Sequence, residues 1–186
     1  HRDLHSFPTR RSSDLQFSSL DTGGISIETV EVDFAKSFDD ICESLKQRVQ
    51  EPSVEFIKEN PYDSFVTVLD DARIQQVITN FVTNAVKYTH EGHIKVGYRY
   101  EKSGVRSQES GDLYIYCEDT GAGIPKEHQA KIFERFVKLN DFIQGTGLGL
   151  SICKAVADAC HGEIGVESEG EGKGSTFWIR IPCEKK

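Results

Sequence analysis

The residues best suited to chemistry sit on one helix-forming stretch and in three Gly-bearing loops. Over residues 71–88, Ile74, Val77, Ile78, Phe81, Val82, Ala85 and Val86 recur at helical spacing and make one apolar face. Asn80, Asn84 and Lys87 follow at i, i+4 and i+7 and form a polar stripe beside it. Two carboxamides and an ammonium next to a core are costly unless something uses them. A solvated helix face is the plain alternative.

The first loop, Asp119-Thr120-Gly121-Ala122-Gly123-Ile124-Pro125, follows a strand pattern. Glycines at alternate positions let backbone approach a ligand closely, and a carboxylate at the strand end can accept from an exocyclic amine. A simple Asp-Gly turn explains the same residues. The second, Gly145-Thr146-Gly147-Leu148-Gly149-Leu150, runs straight into a helix. Free N–H groups and the positive end of the helix dipole make such a junction suited to phosphate. No Lys-Ser/Thr pair follows, so it is not a Walker A loop; no βαβ unit surrounds it, so it is not a dinucleotide fingerprint. The third, Gly172-Lys173-Gly174-Ser175-Thr176-Phe177, enters the last strand. A tight hairpin turn accounts for its glycines, and the Thr176 hydroxyl could reach a ligand or an ordered water.

The elements that must position these groups can be read in order. Residues 25–34 alternate as a strand, and Phe38, Ile41, Leu45 and Val49 give a helical stripe ending before Pro52. Short strands at 54–57 and 65–69 flank an Asn60-Pro61-Tyr62-Asp63 turn, and Asp70 or Asp71 can N-cap the polar-striped helix. Residues 93–100 and 113–118 alternate as strands around a polar connection at 102–112. A second amphipathic helix over 149–160 stops at His161-Gly162, and strands at 163–167 and 176–181 finish the chain. No repeat occurs. This order fits an α+β fold, a two-layer sandwich with one sheet and helices on one face.

The 186 residues suffice for one sizeable domain. The net charge of −8 argues against a nucleic-acid or anionic-membrane surface, and no apolar run approaches the roughly 18 residues of a bilayer span. Cys42, Cys117, Cys153, Cys160 and Cys183 have no metal-like spacing and read as reduced packing residues of a cytoplasmic protein. His161 suits a helix-capping or packing role; His90, His93 and His128 read as solvated. Residues 1–15 have no period and resemble an in-frame translation of a DNA-sequencing library adapter, so they are set aside as non-native. The natural N-terminus is then expected to be missing.

With Phe133-x-x-Phe136 added, the motifs run Asn80-x-x-x-Asn84-Ala-x-Lys87-Tyr88, Asp119-x-Gly121-x-Gly123, Phe133-x-x-Phe136, Gly145-x-Gly147-x-Gly149 and Gly174-Ser175-Thr176. Each is weak alone; the ordered set resembles the ATP-binding catalytic domain of sensor histidine kinases. That domain shares a superfamily with DNA gyrase, the heat-shock chaperone ATPase and the mismatch-repair ATPase. The resemblance implies the Bergerat-type fold, a mixed sheet of about five strands with about three helices on one face, over residues 25–186. Residues 16–24 resemble the last turn of a dimerisation hairpin.

It also implies roles. Asp119 would hold the adenine amino group, with Thr176 in the same water network and Gly121 and Gly123 shaping the loop. Ile124 and Leu148 would line the adenine pocket. Asn84 would give Mg²⁺ an oxygen, with Asn80 beside it; Lys87 would contact phosphate and Tyr88 border the nucleotide. Gly145, Thr146, Gly147 and Gly149 would wrap the triphosphate, residues 134–148 would form a lid, and Arg135 or Lys138 would reach the γ-phosphate.

Hydrolysing members of the superfamily carry Glu where this chain has Asn80. A carboxylate can deprotonate water and a carboxamide cannot. The resemblance therefore implies transfer of the ATP γ-phosphate to a histidine of a separate, here missing, dimerisation domain, then signalling to a response regulator. His1 and His5 fall in the adapter-like segment, and the other four His lie in the catalytic domain, so the chain is expected to bind Mg-ATP without phosphorylating itself. The full-length protein is expected to be a homodimer, with an inner-membrane anchor allowed, and this fragment a monomer. The alternatives are an anti-sigma-type protein-serine kinase, an ATP-hydrolysing relative, and a nucleotide-binding regulatory module without activity.

Overall fold

The computed structural model describes residues 25–102, 110–134 and 149–186. Eleven elements follow in order among them: β1 (Val30–Asp33), α1 (Phe34–Lys46), β2 (Val54–Glu59), β3 (Val66–Leu69), α2 (Asp71–Tyr88), β4 (Gly92–Lys102), β5 (Ser110–Asp119), α3 (Lys126–Gln129), α4 (Gly149–Ala159), β6 (Glu163–Glu167) and β7 (Ser175–Glu184). Five strands form one sheet in the order β2-β4-β5-β7-β6. β2 pairs parallel with β4, and the other pairs are antiparallel, so the sheet is mixed.

The sequence pattern implied a single sheet, and this is corrected. β1 and β3 pair as a separate antiparallel two-stranded ribbon, with Val30 opposite Leu69 and Asp33 opposite Val66. The alternating run at 25–34 becomes a strand only over its last third, and Phe34 already begins a helix. Asp33 accounts for the switch: its carboxylate accepts from Phe65 N and Ser64 Oγ, both at 2.9 Å, so the chain turns where β1 meets the start of β3. These bonds hold the Asp33 carboxyl below its usual range, the backbone bond contributing most. The ribbon is tied to the end of β7 through Thr67 Oγ1 to Glu184 O (2.6 Å) and Lys186 N to Val66 O (2.9 Å).

The apolar stripes meet on one face of the large sheet. α2 buries Ile74, Val77, Ile78, Phe81, Val82 and Ala85 between Phe34, Phe38 and Leu45 of α1 and Leu150, Cys153 and Val156 of α4. Beneath them lie Ile94 and Val96 of β4, Leu113, Ile115 and Cys117 of β5, and Phe177, Ile179 and Ile181 of β7. These alternate residues point to the helices, as the two-residue strand period requires. On the opposite face Tyr114 stacks on Trp178, with centroids 5.8 Å apart, under the guanidinium of Arg99 at 4.1 Å.

Of the two N-cap candidates, Asp70 caps α2, its carboxylate accepting from Arg73 N at 3.1 Å and Glu28 N at 2.8 Å. At the end of α4, His161 N bonds Asp158 O and Gly162 N bonds Ala157 O, the paired closure of a Schellman turn. His161, not Gly162, takes the left-handed conformation (φ 58°). Gly162 is needed elsewhere, because a Cβ there would lie 2.2 Å from Arg180 O of β7. His90 and His128 are exposed as expected. His93 is half-buried, with Nε2 3.5 Å from Glu118 Oε1 and without a hydrogen bond, which corrects its reading as solvated.

Candidate nucleotide site

Asp119 ends β5 and is buried at 5 % exposure. Its Oδ1 accepts from Gly121 N at 2.9 Å and its Oδ2 from Ser175 Oγ at 3.0 Å. Burial pushes the Asp119 carboxyl above its usual value, and these two hydrogen bonds oppose the shift without cancelling it. The strand register accounts for Ser175: β5 and β7 pair Asp119 with Ser175 and Glu118 with Thr176. Side chains alternate along β7, so Ser175 shares the helix-facing side with Phe177 and Ile179, while Thr176 points to the opposite face with Trp178. The hydroxyl bonded directly to Asp119 is that of Ser175, the neighbour of the Thr176 expected in the surrounding water network. Thr176 and Asp119 both line a cleft of about 450 Å³, together with Ser175, Gln129, Glu118 and Glu167.

The loop after Asp119 is pinned from two sides. Ala122 N donates to Tyr88 O at the end of α2 (3.0 Å). From the β6–β7 connection, Gly174 N donates to Gly121 O (3.1 Å) and Gly172 N to Ala122 O (2.7 Å). Ser168 Oγ accepts from Ile124 N and donates to Gly174 O, and Gln129 Nε2 of α3 reaches Ile124 O and Ser168 O, both at 2.9 Å. Gly123 has φ 68°, and a Cβ there would fall 2.0 Å from Gly170 O, so both conformation and space demand glycine. Ile124 turns into the core at 4 % exposure.

The C-terminal end of α2 abuts this loop through Tyr88 O, and the polar stripe lies on the turns before it. Asn80 and Asn84 are half-buried and Lys87 is exposed, as expected one helical turn apart along one face. Asn80 Nδ2 donates to Gly149 O at 3.0 Å and lies 3.6 Å from Cys153 Sγ, one turn apart at the start of α4. The amide therefore fastens α2 to the start of α4, leaving Oδ1 without a hydrogen bond among the described residues. The Asn84 carboxamide makes no hydrogen bond among the described residues. Two hard oxygen donors one turn apart, without partners among the described residues, fit Mg²⁺ held together with phosphate oxygens. Tyr88 is half-buried at the end of α2, beside the Asp119 loop. Phe133 packs edge-on to Phe177 at 6.5 Å.

Arg135, Phe136, Lys138, Gly145, Thr146, Gly147 and Leu148 lie outside the described residues, as do residues 1–24 with their adapter and hairpin assignments. Sequence reading missed Ser175, Ser168 and Gln129. For Ser175 the signal was present, because Phe177, Ile179, Ile181 and Cys183 of β7 fall at odd positions. Ser168 and Gln129 act through loop backbone and leave no periodic trace.

A profile of the family described as histidine kinase-, DNA gyrase B-, and HSP90-like ATPase matches residues 69–185. The chain belongs to this family, and within it is the ATP-binding catalytic domain of a sensor histidine kinase. It is 36 % identical over 177 residues to the autoinducer 2 sensor kinase/phosphatase LuxQ of Vibrio vulnificus strain CMCP6, covering 92 % of this chain and 20 % of that protein. It is 46 % identical over 112 residues to the sensor histidine kinase AruS of Pseudomonas aeruginosa, covering 58 % of this chain and 11 % of AruS. The chain thus spans a fifth or less of the length of these relatives. Among solved structures, full-length ShkA in complex with AMPPNP superposes with a TM-score of 0.73 at 27 % identity, over 93 % of this chain and 35 % of ShkA. The nucleotide-free catalytic domain of the histidine kinase ThkA gives 0.65 at 27 % identity, over 83 % of this chain and 97 % of that domain. Among the described residues no helix is long and apolar enough to cross a membrane.

Proposed function

We propose that this domain binds Mg-ATP and passes the γ-phosphoryl group to a histidine on a dimerisation hairpin. The observation that carries this reading is the Asn80 bond to Gly149 O at 3.0 Å. A water-activating base at that position would have to be a carboxylate, which cannot donate to a carbonyl. The position is instead filled by a donor that braces the two helices flanking the triphosphate.

Asp119 accepts the adenine amino group, with Ser175 and Gly121 N holding the carboxylate in place. Asn84, with Asn80 Oδ1, holds Mg²⁺, which supplies charge neutralisation on the phosphates. Lys87 contacts phosphate oxygens, and Gly145, Thr146, Gly147 and Gly149 enclose them. Ile124 and Leu148 border the base with Tyr88. Arg135 or Lys138 serves the γ-phosphate. Catalysis is then positioning and electrostatics: the acceptor nitrogen is presented in line, its bond to phosphorus forms as the bond to the β–γ bridging oxygen breaks, and ADP leaves. The acceptor hairpin, the homodimer it builds, a response regulator and a membrane anchor belong to the whole protein on this reading.

The test joins a His-bearing two-helix hairpin upstream of Gln16. Mg-ATP should then give an acid-labile, base-stable phosphoryl group on that histidine, and the chain alone should release little phosphate. Steady phosphate release from the chain alone would favour a hydrolase.

A further inference from the structure

We propose that Thr89 is a positioning residue for base recognition, coupling its hydroxyl to Asp119. This rests on the reading that Asp119 receives the adenine amino group. Thr89 caps the C-terminus of α2 in extended conformation (φ −113°, ψ 117°) and is 1 % exposed. Its Oγ1 is buried and without a hydrogen-bond partner among the described residues. An orphaned buried hydroxyl is costly, and it lies at the point where the base-binding loop touches α2.

Gly121 locates the hydroxyl. A Cβ at Gly121 would fall 2.4 Å from Tyr88 O, 2.8 Å from Thr89 Oγ1 and 2.9 Å from Asp119 Oδ1. Thr89 Oγ1 and Asp119 Oδ1 thus flank one point and are separated by less than about 6 Å, a gap that one water spans. An ionised carboxylate offers about four lone-pair sites. Gly121 N takes one on Oδ1 and Ser175 Oγ one on Oδ2, and the Ser175 backbone N–H also favours the charge. The ligand amine and the relayed Thr89 proton add to these donors around a charge held at 5 % exposure, and each donor restricts the direction of the others. The hydroxyl therefore favours a base that donates at its six position over one that does not.

The test is a cycle between one protein hydroxyl and one ligand amine. Affinities for ATP and for purine riboside triphosphate, which lacks the amino group, are measured by calorimetry on the unmodified chain, Thr89→Val and Thr89→Ser. Thr89→Val should weaken ATP by about 10-fold and the unsubstituted analogue by less than about 2-fold, with Thr89→Ser restoring the unmodified values. If Thr89→Val does not fold, Thr89→Ala is held to the same criterion. Equal losses for both nucleotides, or no loss for ATP, overturn the role of Thr89. Failure of the unmodified chain to bind ATP, or its equal affinity for the two nucleotides, would instead overturn the assignment at Asp119.

Discussion

Asp119→Asn separates what the carboxylate costs the fold from what it contributes to binding. In the unliganded domain the substitution keeps both hydrogen bonds: the amide oxygen can still accept from Gly121 N, and the Ser175 hydroxyl can rotate to accept from the new NH₂. What disappears is a buried charge. Because burial raises the folded-state value of Asp119 above the ordinary 3.8, the folded chain holds a proton more tightly than the unfolded one. The stability linked to that proton is complete below the unfolded value and is lost as pH rises through the folded one. At neutral pH the ionised Asp119 therefore costs stability, and Asp119→Asn should raise the Tm of the nucleotide-free domain. The difference should shrink as pH falls towards the ordinary carboxylate range. Binding should move the other way. The NH₂ either meets the adenine amine donor to donor or, flipped, leaves Gly121 N unpaired. One lost partner costs about 1–3 kcal/mol, or about 5- to 150-fold in affinity. Calorimetry at pH 7, beside thermal melts across a pH series, reads both signs. Unchanged ATP affinity would refute the placement of the base at Asp119, and a lower Tm at neutral pH would refute the claim that its charge is a burden.

Mg-ATP at about 100 times its Kd should add roughly 2.7 kcal/mol, a Tm rise of about 5–10 °C by thermal shift. No shift at millimolar nucleotide would mean the site is degenerate. Asn80→Ala should lower Tm by about 2–4 °C through loss of the bond to Gly149 O, whereas Asn80→Glu should lower it further by setting a carboxylate against that carbonyl. Melts on both variants would rank them, and Glu proving as stable as Asn would remove the brace argument. Cys42 and Cys153 are pushed up to about 12 by burial, Cys183 to about 11, and fully buried Cys117 well above its usual value; only Cys160 is half-exposed. A thiol reagent at pH 8 should therefore react quickly with at most one of the five cysteines in the native chain and with all five after denaturation.

The helices and the large sheet were legible because their apolar residues repeat at 3.6 or 2 and nothing local contradicts that repeat. The N-terminal ribbon was not. Residues 25–34 alternate like a full strand, but only contact with Ser64 and Phe65, some thirty residues on, decides that the strand ends at Asp33. The same kind of non-local contact placed His161 rather than Gly162 in the left-handed turn, since Gly162 must admit Arg180 O. The site divides in the same way. Asp119, Asn80 and Asn84 were legible as polar groups that a core-facing element should not carry without a use. The choice between Ser175 and Thr176 was also decidable, because in a strand whose core residues are Phe177, Ile179, Ile181 and Cys183, only the odd-numbered hydroxyl can face the helices. Motif order alone does not carry that parity. Asn80 shows what parity and motif together still miss. Its value to the chain was read from the carboxylate it lacks, yet its amide also makes a bond that the carboxylate could not. Restoring Glu would have to supply a base and break a brace at once. A rise in hydrolysis without a fall in stability would show that the two roles are separable; a fall in both would show that the brace was what the nucleotide site depended on.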